Sequence, residues 1–223
     1  MKRLLTLAAL FLSTTLSLAQ TFTGGSITIV DNAPANPYPA VINVAGITET
    51  VTQVTVTITG LTHSFTDDIG AVLVGPLGQT VLLFDGPGDG GVTNLTWTFT
   101  DSASGALPNG GTLVSGNFQP GQDEYGDTFD SPAPVGPFGN SLSVYNGINP
   151  NGNWQLFVQD FAPVDSGTIQ EWSLTFSVAA VPEPSTIILG TGLALAGVYT
   201  YRRYKYRNSP DILLTRRFLR TAK

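Results

Sequence analysis

Through the middle of the chain, apolar and polar residues alternate with a period of two, and no other feature constrains the fold as much. Val54, Val56 and Ile58 alternate with Thr55, Thr57 and Thr59. Trp154, Leu156 and Val158 alternate with Gln155, Phe157 and Gln159, and Trp172, Leu174, Phe176 and Val178 with Ser173, Thr175 and Ser177. Successive side chains of a strand point to opposite faces, so each run predicts a strand with one buried face. Shorter runs at 69–74, 80–84 and 94–99 are divided by Gly75-Pro76-Leu77-Gly78 and by Gly86-Pro87-Gly88-Asp89-Gly90-Gly91, which read as turns. The middle shows no helical period and no repeat of fixed length, which argues against a solenoid or propeller. The fold expected is all-β, an antiparallel β-sandwich or jelly roll.

Charge is divided as sharply as hydropathy. All ten Lys and Arg residues lie near the termini, and none occurs between Leu4 and Tyr201, where fifteen Asp and Glu residues stand. A domain without cations cannot form Lys or Arg salt bridges and cannot clamp phosphates, which argues against a nucleic-acid partner. Acidic surface serves solubility, and it also suits Ca²⁺, which takes carboxylate and carbonyl oxygens. The chain has no cysteine, so no disulfide, thiolate nucleophile or cysteine-linked lipid anchor is available.

Both ends read as addresses. Met1-Lys2-Arg3, an apolar run to Leu18, and Ser17 and Ala19 as small residues fit a secretory signal peptide over 1–19, cleaved before Gln20 by signal peptidase. At the other end stand Val181-Pro182-Glu183-Pro184-Ser185, then the uncharged run Thr186–Tyr201, then a basic cluster opening with Arg202 and Arg203. The run predicts a single apolar helix. Sixteen residues at about 1.5 Å rise cover ~24 Å, with flanking tyrosines and snorkelling arginines extending the reach toward a ~30 Å hydrocarbon core. Basic residues after such a segment stay cytoplasmic, which places the acidic domain outside the inner membrane.

This tail resembles the PEP-CTERM signal of exported proteins of Gram-negative bacteria. The resemblance implies an exosortase as partner, transient anchoring at the inner membrane, delivery to the cell envelope or matrix, and a link to biofilm and extracellular polysaccharide. Tails of that family usually stop soon after the basic cluster, whereas residues 208–223 here add a further basic extension.

Two segments of the middle carry a second pattern. One runs Ile58-Thr59-Gly60-Leu61-Thr62-His63-Ser64-Phe65-Thr66-Asp67-Asp68-Ile69 to Leu73-Val74-Gly75-Pro76-Leu77-Gly78. The other runs Gly152-Asn153-Trp154-Gln155-Leu156 to Asp160, then Asp165-Ser166-Gly167-Thr168-Ile169 and Trp172-Ser173-Leu174. Together they resemble the P domain (P/Homo B), the β jelly roll that follows the catalytic domain of subtilisin-like proprotein convertases. The division this implies is 1–19 signal peptide, 20–46 lead-in, 47–180 jelly roll, 181–207 sorting signal with a transmembrane segment at 186–201, and 208–223 extension.

The sole histidine, His63, falls in the His-aromatic-Asp turn of that pattern, where a structural role in the loop is expected. Any Ser-His-Asp arrangement would have to use it. The resemblance also places Asp67, Asp68, Asp160 and Asp165 at neighbouring turns, where they could share one Ca²⁺. Asp85 and Asp89 frame a glycine-rich loop, and Asp123, Glu124, Asp127 and Asp130 crowd another; neither has EF-hand spacing, and both read as solvated. The function expected is a non-catalytic surface or matrix protein in adhesion or biofilm assembly. One alternative is a carbohydrate-binding module using Tyr125, Phe129, Phe138 and Tyr145; another is a hydrolase built on a desolvated carboxylate pair.

Overall fold

A computed structural model describes residues 18–179 and 184–207. The signal-peptide residues 1–17, the sorting residues Val181, Pro182 and Glu183, and the extension 208–223 lie outside the described residues. Eleven strands follow in order: β1 (Leu18–Gly24), β2 (Ile27–Ile29), β3 (Ala40–Val44), β4 (Val51–His63), β5 (Ile69–Val74), β6 (Thr80–Asp85), β7 (Val92–Phe99), β8 (Gly116–Phe118), β9 (Gly152–Asp160), β10 (Gly167–Ile169) and β11 (Glu171–Val178).

They form two sheets. One has the order β1-β11-β4-β10-β2, with β7 and then β8 branching from β4; the other is β3-β9-β5-β6. Pairing between strands is antiparallel except for β7 with β8. Side chains from both sheets share one core, including Trp97, Trp154, Trp172, Phe84, Phe99 and Phe176, all fully buried. The all-β, antiparallel expectation holds. In β4 and β11 the alternation is read out as predicted, with Val54, Val56, Ile58, Trp172, Leu174, Phe176 and Val178 inward.

Strand β9 departs from the expected single buried face. Phe157 and Gln159 point away from the main core, yet both are buried. Phe157 lies in a second, smaller apolar cluster with Val72, Val74, Leu82 and Phe129, packed against Tyr38, Phe138 and Phe161, and Gln159 Oε1 beside it accepts Asp130 N–H at 2.8 Å. A long loop covers this outer face and follows the free edge of β6: Gly121 N–H donates to Leu83 O (3.2 Å), Glu124 N–H to Asp85 O (3.1 Å) and Gly139 N–H to Thr80 O (3.1 Å). The edge strand's free backbone groups are thereby satisfied.

The stretch 20–46, read from sequence as a lead-in, supplies β1, β2 and β3. These pair with β11, β10 and β9 respectively, so the segment is built into both sheets.

Beyond the domain, the expected C-terminal helix is found as α1 (Pro184–Arg207). Among the described residues, however, no helix is long and apolar enough to cross a membrane, which leaves the transmembrane reading of 186–201 without support from the fold. Gly190, Thr191, Gly192, Gly197, Tyr199, Thr200 and Tyr201 dilute the apolar residues of a run already short of the ~20 that a span needs.

Candidate functional site

The P-domain-like turn folds around His63, the last residue of β4, which is 1 % exposed. Its Nε2 donates to Asp160 Oδ2 at 3.1 Å, and Asp160, at the end of β9, is itself 0 % exposed. The other ring nitrogen faces Phe65 backbone, 2.9 Å from the carbonyl and 3.2 Å from the N–H. Neutral imidazole with the proton on Nε2 accepts the Phe65 N–H; imidazolium donates to the Phe65 carbonyl. Both nitrogens are therefore engaged within the fold, and neither faces a serine hydroxyl as a Ser-His-Asp relay requires. The second Asp160 oxygen accepts Ala162 N–H at 3.0 Å. Burial raises the Asp160 carboxyl above its ordinary range, opposed by the Ala162 N–H and by His63.

The four aspartates expected to share Ca²⁺ are brought into one neighbourhood. Burial raises the Asp68 carboxyl, and repulsion from Asp160, Asp165 and Asp67 adds to it. The donor set is nevertheless largely spent. Asp160 is held by His63 and Ala162, and Asp67 Oδ2 accepts the Tyr125 hydroxyl at 2.8 Å. Among the described residues no group of three or more His, Cys, Asp or Glu side chains is placed to hold a metal ion.

The loop aspartates behave differently from the solvated set that the sequence suggests. Asp89 and Asp123 are exposed, but Asp85 is only 1 % exposed. Asp85 closes β6 and anchors the covering loop through three groups. Its N–H donates to Gln122 Oε1 (3.0 Å), its carbonyl accepts Glu124 N–H, and its Oδ2 accepts Asp127 N–H (3.0 Å). Its Oδ1 is buried without any hydrogen-bond partner. Gly70 lies alongside, where a Cβ would stand 3.2 Å from Oδ1 and 2.9 Å from the Phe129 ring. Burial pushes the Asp85 carboxyl up to about 6 against the Asp127 N–H bond, and repulsion from Asp127 and Asp123 adds to the rise. Burial likewise raises the Asp127 carboxyl, with Asp123 contributing.

Asp85, Asp123 and Asp127 line a cleft of about 350 Å³ whose remaining lining is mixed, with Phe129, Val135 and Phe138 among its apolar residues and Thr128 among its polar ones. The loop aromatics expected to stack sugars are mostly structural. Tyr145 is fully buried with its hydroxyl on Leu73 O (3.0 Å), and Phe129 packs edge-on against Phe138 and Phe161. Tyr125 alone of the four is well exposed, at 55 %. In the tail, Pro184 and Ser185 open α1, and Arg202 and Arg203 are exposed near its end.

Two antiparallel sheets around one core, with a buried His63–Asp160 pair fastening the β4 turn to the end of β9, define a small β domain of the P type. Residues 51–176 match the family described as proprotein convertase P-domain, and the chain belongs to that family. Among solved structures it is similar to a serine protease of Aeromonas sobria in complex with its chaperone, at 16 % identity and a TM-score of 0.39, covering 76 % of this chain and 28 % of the protease. The crystal structure of that organism's serine protease gives 16 % identity and a TM-score of 0.38, covering 75 % and 28 %. The chain thus spans just over a quarter of either protease's length. Among curated proteins, none matches.

Proposed function

We propose that this is an exported, non-catalytic protein of the cell envelope or extracellular matrix, sorted by an exosortase through its tail and acting in adhesion or in biofilm and exopolysaccharide assembly. The observation that carries the sorting reading is the order of three segments following the domain's last strand in the chain: Val181–Ser185, the uncharged Thr186–Tyr201, and the basic cluster from Arg202. The non-catalytic reading rests on His63, whose two nitrogens are taken by Asp160 and by Phe65 backbone. Signal peptidase acts first, before Gln20. The exosortase then engages the tail at the inner membrane, and polysaccharide is the partner class at the final location.

The test is to replace Pro182, Glu183 and Pro184 with alanine in the full chain and follow its fractionation and gel mobility. The expected result is an unprocessed form that stays with the inner membrane. A variant that fractionates and migrates like the wild type sinks the sorting reading.

A further inference from the structure

Most acidic side chains of this domain face water, which needs no ligand to explain it. Asp85 is different: a carboxylate oxygen that is buried and accepts no hydrogen bond costs free energy in the folded state unless a donor or a cation reaches it. It stands at the inner end of the cleft, with Asp127 half-buried and Asp123 exposed on the same lining. The mouth is open, since Val135 is 82 % exposed. No lysine or arginine of the domain exists to neutralise this group, because none occurs between Leu4 and Tyr201. Within the domain only a proton can neutralise it, so a cationic partner would have to come from outside the domain.

The walls decide which kind of cation fits. A metal ion would want oxygen donors on several sides, and no three-carboxylate group is so placed among the described residues. Phe129, Phe138 and Val135 offer instead an apolar and partly aromatic flank, and the volume is that of an organic side chain rather than an ion. Apolar walls suit methylene groups, and aromatic faces attract ammonium and guanidinium groups.

We propose that the cleft between the end of β6 and the 122–138 loop binds an alkyl cation, the guanidinium or ammonium head of an arginine or lysine side chain on a partner polypeptide. The head meets Asp127 and Asp123 and points toward Asp85, while the stem lies along Phe138 and Val135. This site is independent of the sorting tail.

The experiment titrates the full chain, in mild detergent, with N-acetyl-arginine methylamide. Backbone amide shifts of 123–129 are followed by NMR at about 0.15 M salt, where exposed charge pairs are already screened. Saturable shifts in that segment are expected. Asp127→Asn and Asp123→Asn should each weaken binding about tenfold, whereas Glu171→Gln, on the other sheet, should leave it unchanged. Asp127→Asn keeps the backbone N–H that holds Asp85, so the loop survives the substitution. Four results would overturn the proposal. They are no saturable shift, equal shifts with the uncharged norleucine analogue, full affinity in both aspartate variants, or displacement of the probe by Ca²⁺ with the same residues shifting, which would make the cleft a metal site.

Discussion

Asp85 and His63 show how burial changes what a polar residue can do. Both end a strand, and both are buried, but His63 has a partner on each ring nitrogen whereas Asp85 has one oxygen with none. The consequence for Asp85 is a definite pH dependence. Its folded-state carboxyl lies at about 6, above the ordinary 3.8, so the folded protein binds this proton more tightly than the unfolded chain. The stability attached to this residue is greatest below the ordinary value and falls as pH rises toward about 6. Asp85→Asn removes the titration while leaving a side-chain oxygen to accept Asp127 N–H. In melting curves, the variant should gain on the wild type as pH goes from about 4 to about 7, by a few degrees for a domain of this size. A difference between the two that stays constant with pH would mean that the carboxyl is not desolvated in solution.

At the scale of elements, β10 is the joint that lets β4 serve two partners. Strand β4 pairs with β11 along 51–59, then Gly60 takes a positive φ of 69° at a register shift, and Thr62 and His63 pair with β10. The contact at Gly167 is close: a Cβ there would collide with the Thr62 carbonyl and stand 2.6 Å from His63 Cδ2. Gly167→Ala must therefore push β10 off β4 and disturb the His63–Asp160 pair. A loss of about 1–3 kcal/mol is expected in urea unfolding, as for overpacked cores. Gly110→Ala, where a Cβ meets nothing within 4 Å, should change stability by less than about 0.5 kcal/mol. Equal midpoints for the two variants would refute the tight packing at β10.

For the molecule as a whole, the N-terminal strand closes one edge of the larger sheet. β1 pairs along its length with β11, from Leu18 opposite Val178 to Gly24 opposite Trp172, and Phe22 packs edge-on against Phe176 at 5.9 Å. Cleavage before Gln20 would spare Gln20–Gly24, enough to keep Phe22 in place. A chain beginning at Gly25 would instead leave β11 as an uncovered edge strand, open to pairing with other molecules. Compared with a chain beginning at Gln20, it should melt several degrees lower and self-associate in light scattering. Identical melting and a monomeric profile for both would show that β1 is dispensable.

Alternation of period two was enough to read β4, β9, β11 and the β5–β7 segments from the chain, because inward and outward positions on a strand differ in the water they meet. The turn motifs around His63 and Gly167 likewise pointed to the P-type fold, and the charge map alone showed a domain without cations. The sequence did not reveal that Phe157 and Gln159 are covered, that 20–46 belongs to the sheets, or that His63 pairs with Asp160. These depend on contacts between residues far apart in the chain, and a local pattern records only which residues alternate. Asp85 is the clearest case: beside Gly86 and Pro87 it looks like a loop residue facing water. Only the loop returning through Gln122, Glu124 and Asp127 buries it, and burial rather than residue type sets its charge behaviour.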